Sequence, residues 1–148
     1  MLETRPVFRL IPYWTRLTLD MVNLNVNIES VRKIVFYRTA SGNCPVEEFL
    51  DSLPSKQAQK VTWVMQLVEE LKIVPVKYFK KMAGTDDIWE IRVRSGNSIF
   101  RILGFLEEER IIVLSHAFQK KTQKTPKKEI AIAEARKKDH LLRGSCYE

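Results

Sequence analysis

The sequence is poor in the residues that build metal centres and disulfide frameworks. It has two cysteines, Cys44 and Cys146, and two histidines, His116 and His140. Neither cysteine sits in a CxxC pair, so no zinc-binding spacing can be drawn. The expectation is two reduced thiols in a cytosolic protein. No apolar run approaches the roughly 20 residues of a membrane-spanning helix. The N-terminus also lacks the uninterrupted apolar stretch of a signal peptide. A cytoplasmic protein with no membrane association and no cofactor is therefore expected. Internal repeats and low-complexity tracts are missing too. Hydrophobic residues make up 45% and charged residues 29%, the composition of a packed domain rather than a disordered chain.

Positive charge is what the chain has in excess. Lys and Arg number 25 against 18 Asp and Glu, a formal charge of +7. Such an excess favours a polyanionic partner, because neutralising phosphates releases counterions. Charge alone does not separate RNA from DNA or from an acidic protein. At 148 residues the chain fits one main core.

Residues 1–30 read differently from the rest. Pro6, Pro12, Tyr13, Trp14 and an Asn-rich stretch from Asn23 to Asn27 give no clean period. Three readings stay open: a true extension, an extra strand near Leu17 to Val26, or sequence upstream of a start at Met21. No function attaches to them. From residue 31 to 143 a single domain is expected, with 144–148 as a tail.

Val31 to Tyr37 is β-rich and mildly alternating, which predicts a first strand. Pro45 suits the first turn of a short helix carrying Phe49, Leu50 and Leu53, ended by Pro54. Ser55 is read as the N-cap of a second helix. Its Ala58, Val61, Met65, Val68 and Leu71 recur at helical spacing and are assigned to the core. Three strands follow in a meander: Ile88 to Arg94, Ser98 to Phe105 and Arg110 to Ala117. Thr125 and Pro126 look like the N-cap and first position of a last helix reaching about Leu142. The fold class is α+β, in the order strand, helix, helix, three strands, helix.

If Gly96 and Asn97 are the central turn residues of the hairpin, Arg94 faces Ile99 and Arg92 lies directly across from Arg101. Like charges in that position destabilise a bare sheet, and Glu90 on the same face can relieve them. Two readings compete. One is a solvated ion-pair lattice, each pair contributing at most about 1 kcal/mol. The other is a pair of guanidiniums placed in advance to receive a phosphate in bidentate fashion.

His116 shares the parity of Arg101 if the acidic turn Glu107 to Glu109 forms an even-numbered loop. A lone histidine on a strand is more often a satisfied structural group than a catalyst. Lys120, Lys121, Lys124, Lys127 and Lys128 follow it at once and gather where the last helix begins. Lysines at a helix N-terminus oppose the dipole unless an anion is to be bound there. The competing reading is that salt screens them and nothing binds.

Three strings carry a resemblance: Ile88-Trp89-Glu90-Ile91-Arg92, Phe100-Arg101-Ile102-Leu103, and His116-Ala117-Phe118-Gln119-Lys120-Lys121-Thr122-Gln123-Lys124-Thr125-Pro126. In this order they resemble the HigB-like, phage-derived branch of the RelE/ParE toxin superfamily. Phe36-Tyr37 and Val46-Glu47-Glu48-Phe49-Leu50 are similar to that branch too. The resemblance runs from about Val31 to Arg143 and is most specific from Lys120 to Pro126; the first thirty residues depart from it.

The resemblance implies a compact RelE-like α+β fold and an mRNA endoribonuclease, typically acting on the translating ribosome. It also implies silencing by a helix-turn-helix, HigA-like antitoxin. By position, Arg101 matches the catalytic arginine of the RelE-type hairpin and Arg92 a basic residue of the preceding strand. Glu90 stands where RelE proteins carry a lysine. Lys120 and Lys121 fall near the basic residue after the last strand, and the C-terminal tyrosine of some RelE proteins has no clear counterpart.

The carboxylates Asp86, Asp87 and Glu90 are poorly spaced for a two-metal site. A metal-free route is expected, in which Arg101 and Arg92 hold the phosphate and His116 or Glu90 moves the proton. Arg94, Lys80, Lys81 and the late lysines would track the RNA or ribosomal backbone. Two other readings keep the fold: a gyrase-binding ParE-like toxin, and a non-catalytic nucleic-acid-binding phage regulator.

Overall fold

The computed structural model describes residues 30–144. The elements are β1 (Lys33–Phe36), α1 (Pro45–Asp51), α2 (Ser55–Glu70), β2 (Phe79–Lys81), β3 (Ile88–Ser95), β4 (Ser98–Glu107), β5 (Ile111–Gln119) and α3 (Lys127–Arg143). The readings of residues 1–29, and of the tail with Cys146 and Tyr147, lie outside the described residues.

The strands form one sheet in the order β1-β5-β4-β3-β2. β1 runs parallel to β5, and every other neighbouring pair is antiparallel. The parallel pair needs a long crossover, which α1 and α2 begin. The three-strand meander is therefore as expected. The short β2 is an addition that three residues of sequence could not announce.

Alternation along the strands gives the sheet two different faces. One face presents Ile91, Val93, Phe100, Ile102, Ile112, Leu114 and Ala117 to Val46 and Leu50 of α1 and to Val61, Val64, Met65 and Val68 of α2. Val64 joins this core. Leu71, assigned to it from spacing, is instead 38% exposed, because the helix has already ended there. The opposite face is mixed. Ile88 and Leu103 pack on Ala133 of α3, and the same face carries the charged residues of β3 and β4.

Two helix starts differ from the sequence reading. Pro54, not Ser55, is the N-cap of α2, and Ser55 is its first residue. Likewise Pro126, not Thr125, caps α3. Proline does this by holding an extended conformation while lacking an N–H to satisfy. Thr125 is thereby left free to bond elsewhere.

Gly96 takes φ +59°, the left-handed conformation that the first turn position of the β3–β4 hairpin requires. The register that follows is the expected one, with Arg94 opposite Ile99 and Arg92 opposite Arg101. The β4–β5 connection is less simple. Glu107 pairs Ile111, which leaves a three-residue, odd-numbered loop containing Glu108 at φ +55°. That loop alone would turn His116 to the other face. A bulge between Leu103 and Gly104 inserts Ser115 and restores the parity, so His116 pairs Leu103 on the Arg101 face. Gly104 is needed at this spot, since a Cβ there would lie 2.3 Å from the Val113 carbonyl oxygen.

Candidate functional site

The charged face is built in rows across the sheet. One row runs Lys80, Glu90, Leu103, His116; the next runs Arg92, Arg101, Phe118. Beyond them Arg94 pairs Ile99, and Lys120 donates its backbone N–H to the Ile99 carbonyl at 2.7 Å.

Glu90 is the centre of this arrangement. Its Oε1 lies 3.0 Å from Arg92 Nε and 3.4 Å from Arg101 Nε. Its Oε2 accepts a hydrogen bond of 3.0 Å from the Thr125 hydroxyl. Glu90 and Arg101 are 5% and 7% exposed, so this is a buried ion pair, whereas Arg92 reaches further into solvent. One carboxylate thus faces two guanidiniums. Neither Nε–H is aimed well enough at Glu90 to count as a hydrogen bond, and both are buried donors without one. The contact is Coulombic, and it leaves directional capacity for another acceptor.

Arg101 also donates from Nη1 to the Phe100 carbonyl at 3.0 Å, which fixes the plane of its guanidinium. Burial pulls its pKa down, Glu90 opposes this, and Arg92 and Arg94 add to it. An arginine tolerates such a shift and stays charged. Lys120 feels the same field. Its ammonium is pulled below the ordinary lysine value by burial first and by neighbouring Arg101 next. Two arginines and a lowered lysine around one carboxylate leave a local surplus of positive charge.

That surplus opens into a groove of about 430 Å³ lined by Lys60, Lys77, Tyr78, Arg92, Val93, Arg94, Ile99 and Arg101. Five of the eight lining residues are cationic and none is acidic, so an anion entering it meets no repulsion from the walls.

His116 stands on the same face but in different company. Its Nε2 is bonded to Glu129, and its Nδ1 accepts from Arg136 Nη1 at 3.1 Å. Arg136 also donates to the Ser115 carbonyl at 2.8 Å, so α3 grips β5 at the bulge. A guanidinium can only donate, which makes Nδ1 the lone-pair nitrogen and puts the ring proton on Nε2. The imidazole is then neutral. This agrees with a pKa held below the ordinary value, by burial first and by Arg136 last, against the upward pull of Glu129.

The structure therefore brings together Glu90, Arg92, Arg101, Arg94 and Lys120, and holds His116 apart against α3. Lys80 lies on the Glu90 face; Lys81 lies on the opposite one and pairs Asp87 at 2.5 Å. Lys121, Lys124, Lys127 and Lys128 are exposed around the entry to α3. Sequence patterns do not single out Thr125, Glu129 and Arg136 as parts of the site. Nor do they mark Lys60, Lys77 and Tyr78, since a lysine on a helix surface looks like any solvated one. Among the described residues no three His, Cys, Asp or Glu side chains converge in a way that would hold a metal ion. No described helix is long and apolar enough to cross a membrane.

Comparison with family models matches residues 48–138 to the one described as "Phage derived protein Gp49-like (DUF891)". The match covers more than half of the chain, from within α1 to within α3, and includes every residue of the Glu90 cluster. Among curated proteins there is no match.

Proposed function

We propose a function for this chain from one premise: it belongs to the Gp49-like family of phage-derived proteins, a RelE/HigB-like toxin family. The chain is the toxin of a type II toxin–antitoxin pair, of HigB type. It cleaves mRNA, on the ribosome, and so stops translation. The observation that carries this reading is the Arg92–Arg101 pair, held by one buried carboxylate and opening into a groove with five cationic and no acidic lining residues.

Such a site suits a phosphodiester that supplies its own nucleophile. The RNA 2′-hydroxyl attacks the adjacent phosphorus, the bond to the 5′-oxygen breaks, and a 2′,3′-cyclic phosphate and a 5′-hydroxyl result. Arg101 and Arg92 hold the non-bridging oxygens as charge grows on them, and their fixed placement means little reorganisation at the moment of reaction. Glu90 keeps two like charges side by side and, as the carboxylate between the two guanidiniums, is the proposed base for the 2′-hydroxyl proton. His116 is the second candidate, and reaching a hydroxyl requires Arg136 to leave its Nδ1. Lys120, whose ammonium is pulled below the ordinary lysine value by burial and then by Arg101, is the proposed acid for the departing oxygen. Arg94, Lys80 and the exposed lysines Lys121, Lys124, Lys127 and Lys128 follow the RNA or ribosomal backbone.

Induced expression with mapping of RNA 5′ ends tests the reading. New 5′ ends within translated regions, together with arrested protein synthesis, are expected. DNA damage signalling without such ends would replace it with a gyrase-directed toxin. Unimpaired growth would leave a binding module.

A further inference from the structure

Beside the cationic groove lies an aromatic surface that the cleavage chemistry does not use. Trp63, on α2, leaves 43% of its surface open, although a side chain of this size usually buries most of its area. Tyr78 stands perpendicular to it, with ring centroids 6.0 Å apart and an interplanar angle of 87°. Tyr78 lines the groove together with Arg92, Arg94 and Arg101. Trp63 is thus one ring removed from the arginines.

Each ring also carries a cation. Lys60 Nζ lies 4.3 Å from the Trp63 centroid, and Lys77 Nζ lies 4.7 Å from that of Tyr78. Both lysines are walls of the groove as well. An apolar protein-docking patch is not usually bordered by ammonium groups on both rings and three guanidiniums beyond. The combination of a positive track and an open aromatic ring next to it is what single-stranded nucleic acid requires, because every base has a π-face. The groove volume of about 430 Å³ falls within the range of small-ligand pockets, so backbone and sugar have room in it.

We propose that Trp63, supported by Tyr78, is a stacking platform for an unpaired base of the strand whose phosphate lies among Arg92, Arg94 and Arg101. The inference rests on the RNA-cleaving reading and deepens it. Stacking at Trp63 sets the strand's register, and the phosphates neighbouring that base fall to Lys60 and Lys77. The platform reads a π-face rather than a hydrogen-bonding edge, so it binds any base and favours unpaired over paired RNA.

The test uses the purified full chain and two probes. One is a short single-stranded oligoribonucleotide, 2′-O-methylated so that it cannot be cut. The other is inorganic polyphosphate of matching charge. Trp63→Ala is expected to weaken oligoribonucleotide binding on the order of tenfold and to leave polyphosphate binding unchanged, while Trp63→Phe restores most of the loss. Unchanged oligoribonucleotide affinity in Trp63→Ala, or equal weakening for both probes, overturns the platform. If Arg101-dependent cleavage persists in that case, the stacking inference fails alone. A wild-type protein that prefers polyphosphate, or binds neither probe, overturns it too; the nuclease reading is then decided separately by mapped RNA ends.

Discussion

Arg92 and Arg101 face each other across the β3–β4 hairpin, with Glu90 Oε1 3.0 Å from the Nε of one and 3.4 Å from the Nε of the other. Like charges in that position oppose sheet pairing, and Glu90 offsets only part of the opposition. The remainder is a net positive charge beside the groove. Because Arg101 is 7% exposed, it is also part of the packed structure, and cutting it back affects more than ligand binding. A solvated, structurally neutral arginine at this position does not fit the structure.

The Thr125 hydroxyl fixes the second oxygen of Glu90 at 3.0 Å. Thr125→Val keeps the shape and removes the donor. It is expected to cost about 1 kcal/mol of stability, the net contribution of one such hydrogen bond, and to lower cleavage several-fold by freeing the carboxylate to turn. Urea titration and a single-turnover assay check the two effects. Unchanged values in both would mean that Glu90 is held by its arginines alone.

Much of the fold and part of the site are legible in the sequence, and the rest depends on how distant segments dock. The Arg92–Arg101 pairing follows from Gly96 and Asn97, because a two-residue turn fixes register and register fixes faces. The helical core of α2 shows in its spacing for the same local reason. Thr125 reads as a cap because Thr before Pro usually is one; its partner Glu90 is 35 residues away and cannot be seen locally. His116 reaches the Arg101 face through a bulge at Ser115 that offsets an odd loop, two irregularities with no clear mark in sequence. Its partners Glu129 and Arg136 belong to α3, whose seating on the sheet is a tertiary fact. The cationic groove is not legible as a unit because Lys60, Lys77 and Arg94 come from three separate segments.

His116 makes stability depend on pH. Its pKa in the folded protein lies below the ordinary value of 6.5, so between those two values the unfolded chain binds the proton and the folded one does not. Stability from this group is present in full above about pH 6.5 and is lost as pH falls through the folded pKa. His116→Gln should show a shallower loss of stability than wild type between about pH 7.5 and 5.5, the range that brackets the ordinary histidine value. Equal slopes in thermal unfolding would mean that the folded protein does not lower this pKa, and a steeper loss in His116→Gln than in wild type would mean a charged imidazole paired with Glu129.

The proposed toxin function requires a silencing partner, for which we propose a helix-turn-helix antitoxin. If an acidic segment of it enters the groove, charge-assisted pairs form to Arg101. Arg101→Ala would then weaken the toxin–antitoxin complex by about 2–5 kcal/mol, as truncation at a buried charge pair does. Calorimetry on the two purified partners gives the answer. An unchanged affinity places the antitoxin elsewhere and leaves exclusion from the ribosome as the means of silencing.

The arginine pair as a phosphate clamp is tested most directly by one cleavage measurement on programmed ribosomes. Wild type, Arg101→Lys and Arg101→Ala are compared, and the ends of the products are analysed. Wild type is expected to give 2′,3′-cyclic phosphate or its 3′-phosphate hydrolysis product. Arg101→Ala is expected to cut at a rate lowered by roughly 100-fold or more, the scale of losing one charge-stabilising donor. Arg101→Lys should recover only part of that rate, because a lysine keeps the charge but not the planar fork. Cleavage by Arg101→Ala at the wild-type rate, or products with free 3′-hydroxyl ends, would rule out the clamp.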